Sequence, residues 1–146
     1  MNKKNKCLKV LITGGSRGIG RGISHVLSND NYEVIAIGKN KDAKFLDSKV
    51  RYIQADLSTS DGVDSITKLI SIEKPLILIN CLGIEKNCNF IETTKEDYDL
   101  VMKTNVTCHV DLTKAAIPNM LKEGWGKVVF ITSIWGNIGT HNRAVY

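Results

Sequence analysis

The chain has 146 residues and a formal net charge of +5, with 42% hydrophobic and 24% charged residues. This length fits one domain of ordinary size, and the composition excludes disordered, collagen-like and low-complexity proteins. No apolar run approaches the roughly 20 residues that cross a bilayer, and the basic start followed by a short apolar stretch makes a poor secretory signal. We therefore expect a cytoplasmic protein with no membrane partner.

The positive charge is concentrated in residues 1–44, which hold nine basic and three acidic side chains. Such a region could face nucleic acid, an anionic membrane or a phosphorylated small molecule. Solvation of the N-terminus accounts for Lys3, Lys4 and Lys6. The remaining bases cluster around a glycine-rich turn without an aromatic stacking surface, which argues against a nucleic-acid partner.

The cysteines and histidines indicate neither a disulfide framework nor a metal site. The four cysteines form no C-x-x-C pair, which predicts free thiols. The three histidines lack metal-ligand spacing. These residues are Cys7, Cys81, Cys88, Cys108, His25, His109 and His141.

Five short apolar runs predict β-strands. Their cores show no polar alternation, which is typical of parallel strands covered on both faces. The predicted strands are Lys9–Thr13, Glu33–Gly38, Val50–Gln54, Pro75–Asn80 and Lys127–Thr132.

Helical patterns lie between these strands. One helix, Ile19–Leu27, directly follows the first strand, and two more open at the capping-box patterns Ser58-x-x-Asp61 and Thr93-x-x-Glu96. The last of them should end at Pro118 and Gly124. Its predicted inner face is Tyr98, Val101, Met102, Val106, Leu112, Ala115 and Ala116.

The connection Asn40–Lys49 is too short for a crossover helix with loops and should be a turn or a short helix. The alternation of strands and helices predicts a single doubly wound, Rossmann-like α/β domain over residues 1–146.

The turn Thr13–Gly20 reads TGGSRGIG and lies between the first strand and its helix. Glycines here permit positive φ angles and leave room for a diphosphate, while the helix start offers N–H groups to an anion. An ATP-type P-loop is excluded because Arg21 and Gly22 stand where Lys and Ser or Thr are required.

This Thr-Gly-x-x-x-Gly-x-Gly spacing closely resembles the classical short-chain dehydrogenase/reductase family, and the resemblance spans nearly the whole chain. It implies a nicotinamide dinucleotide cofactor held at Gly14, Ser16, Arg17, Gly18, Ile19 and Gly20. In the family, an acid at the end of the second strand binds the adenosine 2′-hydroxyl. Here Lys39 follows that strand and Arg17 lies in the loop, which favours NADP(H) over NAD(H).

Two further segments match the family pattern. Asp56 and Leu57 resemble the pair that meets the adenine ring, although Asp56 could also cap a helix. Asn80-Cys81-Leu82-Gly83 stands where the family has Asn-Asn-Ala-Gly. Asn80 and Gly83 match as cofactor-binding positions, whereas Cys81 replaces the Asn that normally braces the central sheet.

The resemblance also implies three catalytic residues. Tyr146 follows Ser133 by thirteen residues, the family's usual separation, and would protonate the oxygen to which Ser133 donates a hydrogen bond. Asn105 would bend its helix and hold a proton-relay water. The pKa of a free Tyr is near 10, about three units above the neutral pH at which a proton donor has to work. In the family, a Lys four residues beyond the Tyr lowers this pKa.

The resemblance implies an NADP(H)-dependent oxidoreductase that interconverts a carbonyl and an alcohol, with 3-oxoacyl reductases as one similar branch. We expect an N-terminal portion of a longer reductase, truncated at its C-terminal side, with strands 1–5 of the sheet present and the fifth strand at an apolar edge. This portion alone should be marginally folded and inactive. The alternative is a non-catalytic nucleotide-binding remnant. The family implies a homodimer or homotetramer for the parent protein.

Overall fold

The computed structural model describes residues 7–41, 43 and 46–146, so the lysine-rich start lies outside the described residues. Five parallel strands form one sheet in the order β3-β2-β1-β4-β5. The strands are β1 (Lys9–Thr13), β2 (Glu33–Gly38), β3 (Arg51–Gln54), β4 (Ile77–Asn80) and β5 (Lys127–Phe130). This order confirms the predicted doubly wound α/β fold. The first two strands have the predicted bounds, and the other three are one or two residues shorter.

Helices connect the strands on both faces of the sheet. They are α1 (Gly18–Asn29), α2 (Ser60–Glu73), α3 (Lys95–Met102) and α4 (Cys108–Lys122). A π-helical segment, Lys103–Thr107, joins α3 to α4, and a short 3-10 helix, Ile134–Gly136, follows β5. Within the described part of Asn40–Lys49 the chain forms bends and turns and no helix.

Both predicted helix caps are wrong by one residue. The caps are Thr59, which accepts a hydrogen bond from Gly62 N at 3.1 Å, and Thr94, which accepts one from Asp97 N at 3.1 Å. The hydroxyl of Ser58 instead donates to Asp56 Oδ1 at 2.6 Å. Neighbouring hydroxyl residues compete for the same cap, and the pattern alone does not separate them.

Two expectations for the long helix are also wrong. Pro118 lies inside α4, which continues to Lys122 because Met120 is buried and its packing stabilises the last turns. The helix does end just before Gly124, which has a φ of 65°, as predicted. Tyr98 and Val106 are half exposed rather than part of the inner face. The π-helical segment rotates the face that α3 and α4 present to the sheet, because each of its bonds spans five residues instead of four.

The core consists of two apolar layers, one on each face of the sheet. Alternate residues of β1 point into opposite layers: Leu11 packs with the layer beneath α2 and α4, whereas Val10 and Ile12 pack with Ile23 of α1. Within the part of the chain that the structure describes, β5 pairs only with β4, and Phe130 is half exposed at this edge, as expected. Among the described residues, no helix combines the length and apolar character needed to cross a bilayer. The four cysteines are free thiols.

Candidate active site at the carboxyl edge of the sheet

Three adjoining clefts lie where the carboxyl ends of β1, β2 and β4 meet. The glycine-loop cleft, of about 450 Å³, lies between the turn after β1 and the loops after β4 and β5. The Ser133 cleft, of about 220 Å³, lies between α4 and the segment after β5. The Arg17–Lys39 cleft, of about 190 Å³, lies beyond the end of β2. Leu82 and Gly83 line all three, so they form one continuous site. Open parallel sheets bind ligands at this edge.

The glycine turn is shaped by both conformation and packing. Gly14 and Gly18 have φ angles of 66° and 48°, a region that favours glycine. A Cβ on Gly20 would lie 2.3 Å from the Gly14 carbonyl oxygen, so only glycine fits there. A Cβ on Gly18 would meet no atom within 4 Å, so this position faces open space in the cleft. Nearby, the buried Ser24 hydroxyl lies 3.0 Å from the Gly15 carbonyl oxygen and fixes the turn.

The N-terminus of α1 carries uncompensated positive character. Its N-cap, Arg17, makes no side-chain capping bond, and the first turn contains no acidic residue. Gly18, Ile19 and Gly20 line the glycine-loop cleft together with Arg17. Amide groups at a helix start attract anions, and the open space at Gly18 leaves room for one. The turn therefore fits a diphosphate.

The loop after β4 is braced by two side chains, Thr13 and His109, whose role the sequence did not predict. The buried Thr13 Oγ1 accepts hydrogen bonds from Cys81 N at 3.0 Å and Leu82 N at 3.1 Å. His109 Nε2 lies 2.8 Å from the Leu82 carbonyl oxygen. These bonds hold the loop where the family's bracing Asn is replaced by Cys81. Thr13 and His109 are polar residues within an apolar strand and an apolar helix face, and this pattern could have identified both from the sequence.

His109 is a buried, neutral histidine. Its side chain packs edge-on against Phe130, with 6.4 Å between ring centroids. Burial lowers the pKa of His109 below its usual value, and the hydrogen bond to Leu82 opposes that shift. Because a carbonyl can only accept, Nε2 carries the proton that bonds to Leu82.

Asn105 lies in the π-helical segment and is joined to the loop after β4. Its Oδ1 accepts a hydrogen bond from Ile84 N at 2.9 Å, and its Nδ2 donates one to Ile84 O at 2.8 Å. The same side chain lines the Ser133 cleft. Asn105 therefore fixes the position of this loop relative to the helix.

The Ser133 cleft brings together all three residues predicted to be catalytic. Asn105, Ser133 and Tyr146 line it with His109 and Asn80. Tyr146 also lines the glycine-loop cleft, so it lies where the two clefts meet. The buried Asn80 Nδ2 lies 3.4 Å from Thr113 Oγ1, and its Oδ1 meets no donor among the described residues.

The Arg17–Lys39 cleft contains both cations that the sequence placed near the ribose. Lys39 Nζ lies 2.7 Å from Asp56 Oδ2 in an ion pair. Asp56 Oδ1 accepts from Ser58 N at 3.0 Å and from the Ser58 hydroxyl. Lys39, followed by Ser58, lowers the pKa of Asp56 to about 2, so this carboxylate is ionised near neutral pH.

Tyr52 of β3 contacts the backbone at the edge of the same cleft. Its hydroxyl donates a hydrogen bond to the Asn40 carbonyl oxygen at 2.6 Å. A Cβ on Gly38 would lie 2.6 Å from Ser16 Oγ and 2.9 Å from Tyr52 Oη, so both oxygens pack closely against Gly38. Burial raises the pKa of Tyr52, while a hydrogen bond from Ser16 and the charge of Arg17 oppose this shift. Tyr52 thus connects the glycine turn to the end of β2.

Twelve of the fourteen predicted site residues line one of the three clefts, and two do not. Asp56, whose side chain is 31% exposed, is paired with Lys39 of the Arg17–Lys39 cleft. Leu57 is 2% exposed, and its side chain packs in the core.

The chain resembles known proteins along almost its full length. A family model described as short chain dehydrogenase matches residues 8–146. Acetoacetyl-CoA reductase of Cupriavidus necator is 30% identical, with 92% of this chain and 59% of the relative aligned. NADPH-dependent pterin aldehyde reductase of Arabidopsis thaliana is 32% identical, with 94% of this chain and 61% of the relative aligned. The 3-oxoacyl-(acyl-carrier-protein) reductase FabG of Vibrio cholerae is 27% identical, with 100% of this chain and 62% of the relative aligned.

A solved structure described as a short chain dehydrogenase/reductase family protein superposes with a TM-score of 0.88 at 26% identity. The superposition covers 95% of this chain and 60% of that one. The chain thus spans about three fifths of the length of these relatives.

Proposed function

The chain belongs to the short chain dehydrogenase family, and on this premise we propose that it binds NADP(H) and serves an oxidoreductase that interconverts a carbonyl and an alcohol. The observation that carries the proposal is the continuity of the three clefts through Leu82 and Gly83. An elongated ligand held by its diphosphate at the glycine turn can reach Arg17 and Lys39 at one end and Tyr146 at the other.

The residues of the glycine turn suit the diphosphate. Gly18, Ile19 and Gly20 would place backbone N–H groups of α1 against it, and Arg17 would add a positive charge. Leu82 and Gly83 would form the opposite wall, held by Thr13 and His109. When bound, the nicotinamide ring supplies or accepts the hydride.

Ser133 and Tyr146 would handle the proton at the substrate oxygen. Tyr146 donates the proton from its hydroxyl during reduction, and Ser133 donates a hydrogen bond to the same oxygen. Ser133 Oγ accepts a hydrogen bond from Trp135 N at 3.3 Å, which leaves its own proton available. Asn105 contributes indirectly, because its hydrogen bond to Ile84 N holds the loop in position.

The preference for NADP(H) rests on charge. Arg17 and Lys39 line one cleft, and no acidic residue ends β2. An adenosine 2′-phosphate would be attracted there, whereas a 2′-hydroxyl would gain little. The name of the Arabidopsis relative, an NADPH-dependent reductase, supports the same preference.

The names of two relatives support an acyl-thioester substrate: they reduce acetoacetyl-CoA and 3-oxoacyl chains on acyl-carrier protein. We further propose a single nucleotide-binding domain acting in the cytoplasm as a homodimer or homotetramer. The half-exposed apolar side chains of Val110 and Ile117, together with the exposed Leu121, support assembly through α4.

Calorimetric titration of the purified chain with NADPH tests the proposal, with circular dichroism to establish that the protein is folded. We expect saturable binding of one NADPH per chain, lost when Gly18→Asp places a carboxylate in the glycine-loop cleft. A folded chain that binds neither NADPH nor NADH would overturn the proposal.

A further inference from the structure

The two cations of the Arg17–Lys39 cleft are not equivalent. Lys39 is paired with Asp56 at 2.7 Å, whereas Arg17 makes no ion pair with any described residue. A phosphate that enters the cleft therefore meets one uncompensated cation and one that is already neutralised.

We propose that Asp56 is a specificity-determining residue that weakens the preference for NADP(H) by competing with the 2′-phosphate for Lys39. The inference rests on the proposed function, since it concerns the same ligand at the same cleft. Asp56 acts on the 2′-phosphate through Lys39, with which its carboxylate is paired at 2.7 Å.

The pairing of β2 with β3 and the hydrogen bonds from Ser58 fix the position of the Asp56 carboxylate. β2 and β3 are adjacent parallel strands, and Ala55 N donates to Gly38 O at 2.8 Å just before Asp56. Ser58 then holds Oδ1 through its backbone N–H and its hydroxyl, which turns Oδ2 towards Lys39. Asp56 is thus anchored on one side and paired on the other.

Lys39 is the mobile partner. Its side chain is 71% exposed and has four rotatable bonds, whereas the Asp56 side chain is 31% exposed. The backbone of Lys39 is fixed, because its carbonyl accepts a hydrogen bond from Gln54 Nε2 at 3.1 Å. The ammonium can therefore move from Asp56 to a phosphate while the carboxylate stays in place.

The competition affects the two dinucleotides unequally. A 2′-phosphate carries about two negative charges near neutral pH and would have to draw Lys39 away from Asp56, which stays ionised. A 2′-hydroxyl carries no charge and does not compete for the ammonium. The ion pair therefore lowers the affinity for NADPH and leaves the affinity for NADH nearly unchanged.

Asp56→Asn tests the inference, because it removes the charge while Oδ1 can still accept from Ser58 N. At low salt we expect the dissociation constant for NADPH to fall about two- to fivefold relative to that for NADH, the scale of an exposed ion pair. Asp99→Asn is the matched control, since Asp99 also pairs with a lysine, Lys95, but lies on α3 away from the clefts. It should change neither constant.

Lys39→Gln provides a second, independent variant. It removes one cation and leaves Asp56 uncompensated beside the ribose, so NADPH binding should weaken, and adding Asp56→Asn should restore part of the loss. Thermal unfolding of each variant establishes that it is folded. An unchanged ratio of the two dissociation constants in Asp56→Asn, or no rescue of Lys39→Gln, would overturn the inference while wild-type NADPH binding keeps the proposed function. Absence of binding by the folded wild type would reject both.

Discussion

The side-chain amide of Asn105 and the backbone of Ile84 are joined by two reciprocal hydrogen bonds, of 2.9 Å from Ile84 N and 2.8 Å to Ile84 O. The pair connects the π-helical segment between α3 and α4 to the loop after β4. Since that loop lines all three clefts through Leu82 and Gly83, a helix some twenty residues away in sequence sets the shape of the site.

Asn105→Ala should therefore lower both stability and NADPH affinity. Removing the amide leaves the partly buried N–H and C=O of Ile84 without partners, which costs about 1–3 kcal/mol of unfolding free energy. Urea unfolding and NADPH titration measure the two effects. Asn119→Ala is the control: its exposed amide makes one bond, to Lys74 O at 3.2 Å, and should cost less and leave NADPH binding intact. Equal losses in the two variants would contradict the assigned role of Asn105.

The burial of His109 predicts a pH dependence of stability with a definite sign. Because the folded-state pKa lies below the ordinary 6.5, the unfolded chain binds the proton more readily, and stability falls as pH drops below 6.5 towards the folded value. His109→Gln should flatten this decline, since Gln keeps a donor for Leu82 O but does not titrate. Urea unfolding above and below pH 6.5 measures it. His25→Gln, at an exposed position on α1, should leave the decline in place.

His109 should also position the loop through its hydrogen bond to Leu82. His109→Leu removes the donor at similar bulk and should weaken NADPH binding, whereas His109→Gln should largely preserve it. Titration of both variants separates the hydrogen bond from mere filling of the core. Equal affinities in the Leu and Gln variants would show that the bond to Leu82 does not support the cleft.

Three glycines should respond differently to alanine. Gly20→Ala forces a Cβ to within 2.3 Å of Gly14 O, so it should disrupt the turn and abolish NADPH binding. Gly18→Ala causes no clash but strains a residue at φ 48°, costing about 1–2 kcal/mol, and it adds a methyl group to the cleft. Gly22→Ala, within α1 and with no atom within 4 Å, should stabilise by about 0.5–1 kcal/mol and leave binding unchanged. Thermal unfolding and NADPH titration of the series measure this ranking, which a harmless Gly20→Ala would contradict.

Tyr52→Phe should affect the Arg17–Lys39 cleft selectively. It removes the hydroxyl that bonds to Asn40 O and lies close to Ser16, so the end of β2 and the glycine turn lose a connection. We expect NADPH affinity to fall about two- to tenfold, the scale of one hydrogen bond, with a smaller change for NADH. Tyr32→Phe, outside the clefts, is the control for titrations with both dinucleotides. A loss of equal size for NADPH and NADH would contradict a role at the ribose end.

The parallel strands and the bounds of β1 and β2 could be predicted because continuous apolar runs such as Val34–Ile37 are typical of a buried parallel strand. The grouping of Asn105, Ser133 and Tyr146 in one cleft agrees with the family resemblance. The π-helical segment could not be predicted, since the same residues suit an α-helix. Nor could the ion pair between Lys39 and Asp56, because it depends on how two strand ends align across the sheet. Considered separately, Lys39 and Asp56 each match a position that the family resemblance assigns to cofactor binding.

The cations beside the glycine turn, Arg17 and Lys39, should select the phosphorylated dinucleotide. Calorimetric titration of the wild type and the Arg17→Gln, Lys39→Gln double variant with NADPH and NADH tests it most directly. We predict that the folded wild type binds NADPH more tightly than NADH, and that the double variant loses this preference while still binding NADH. Equal wild-type affinities for the two dinucleotides, or a preference that survives in the double variant, would contradict the account.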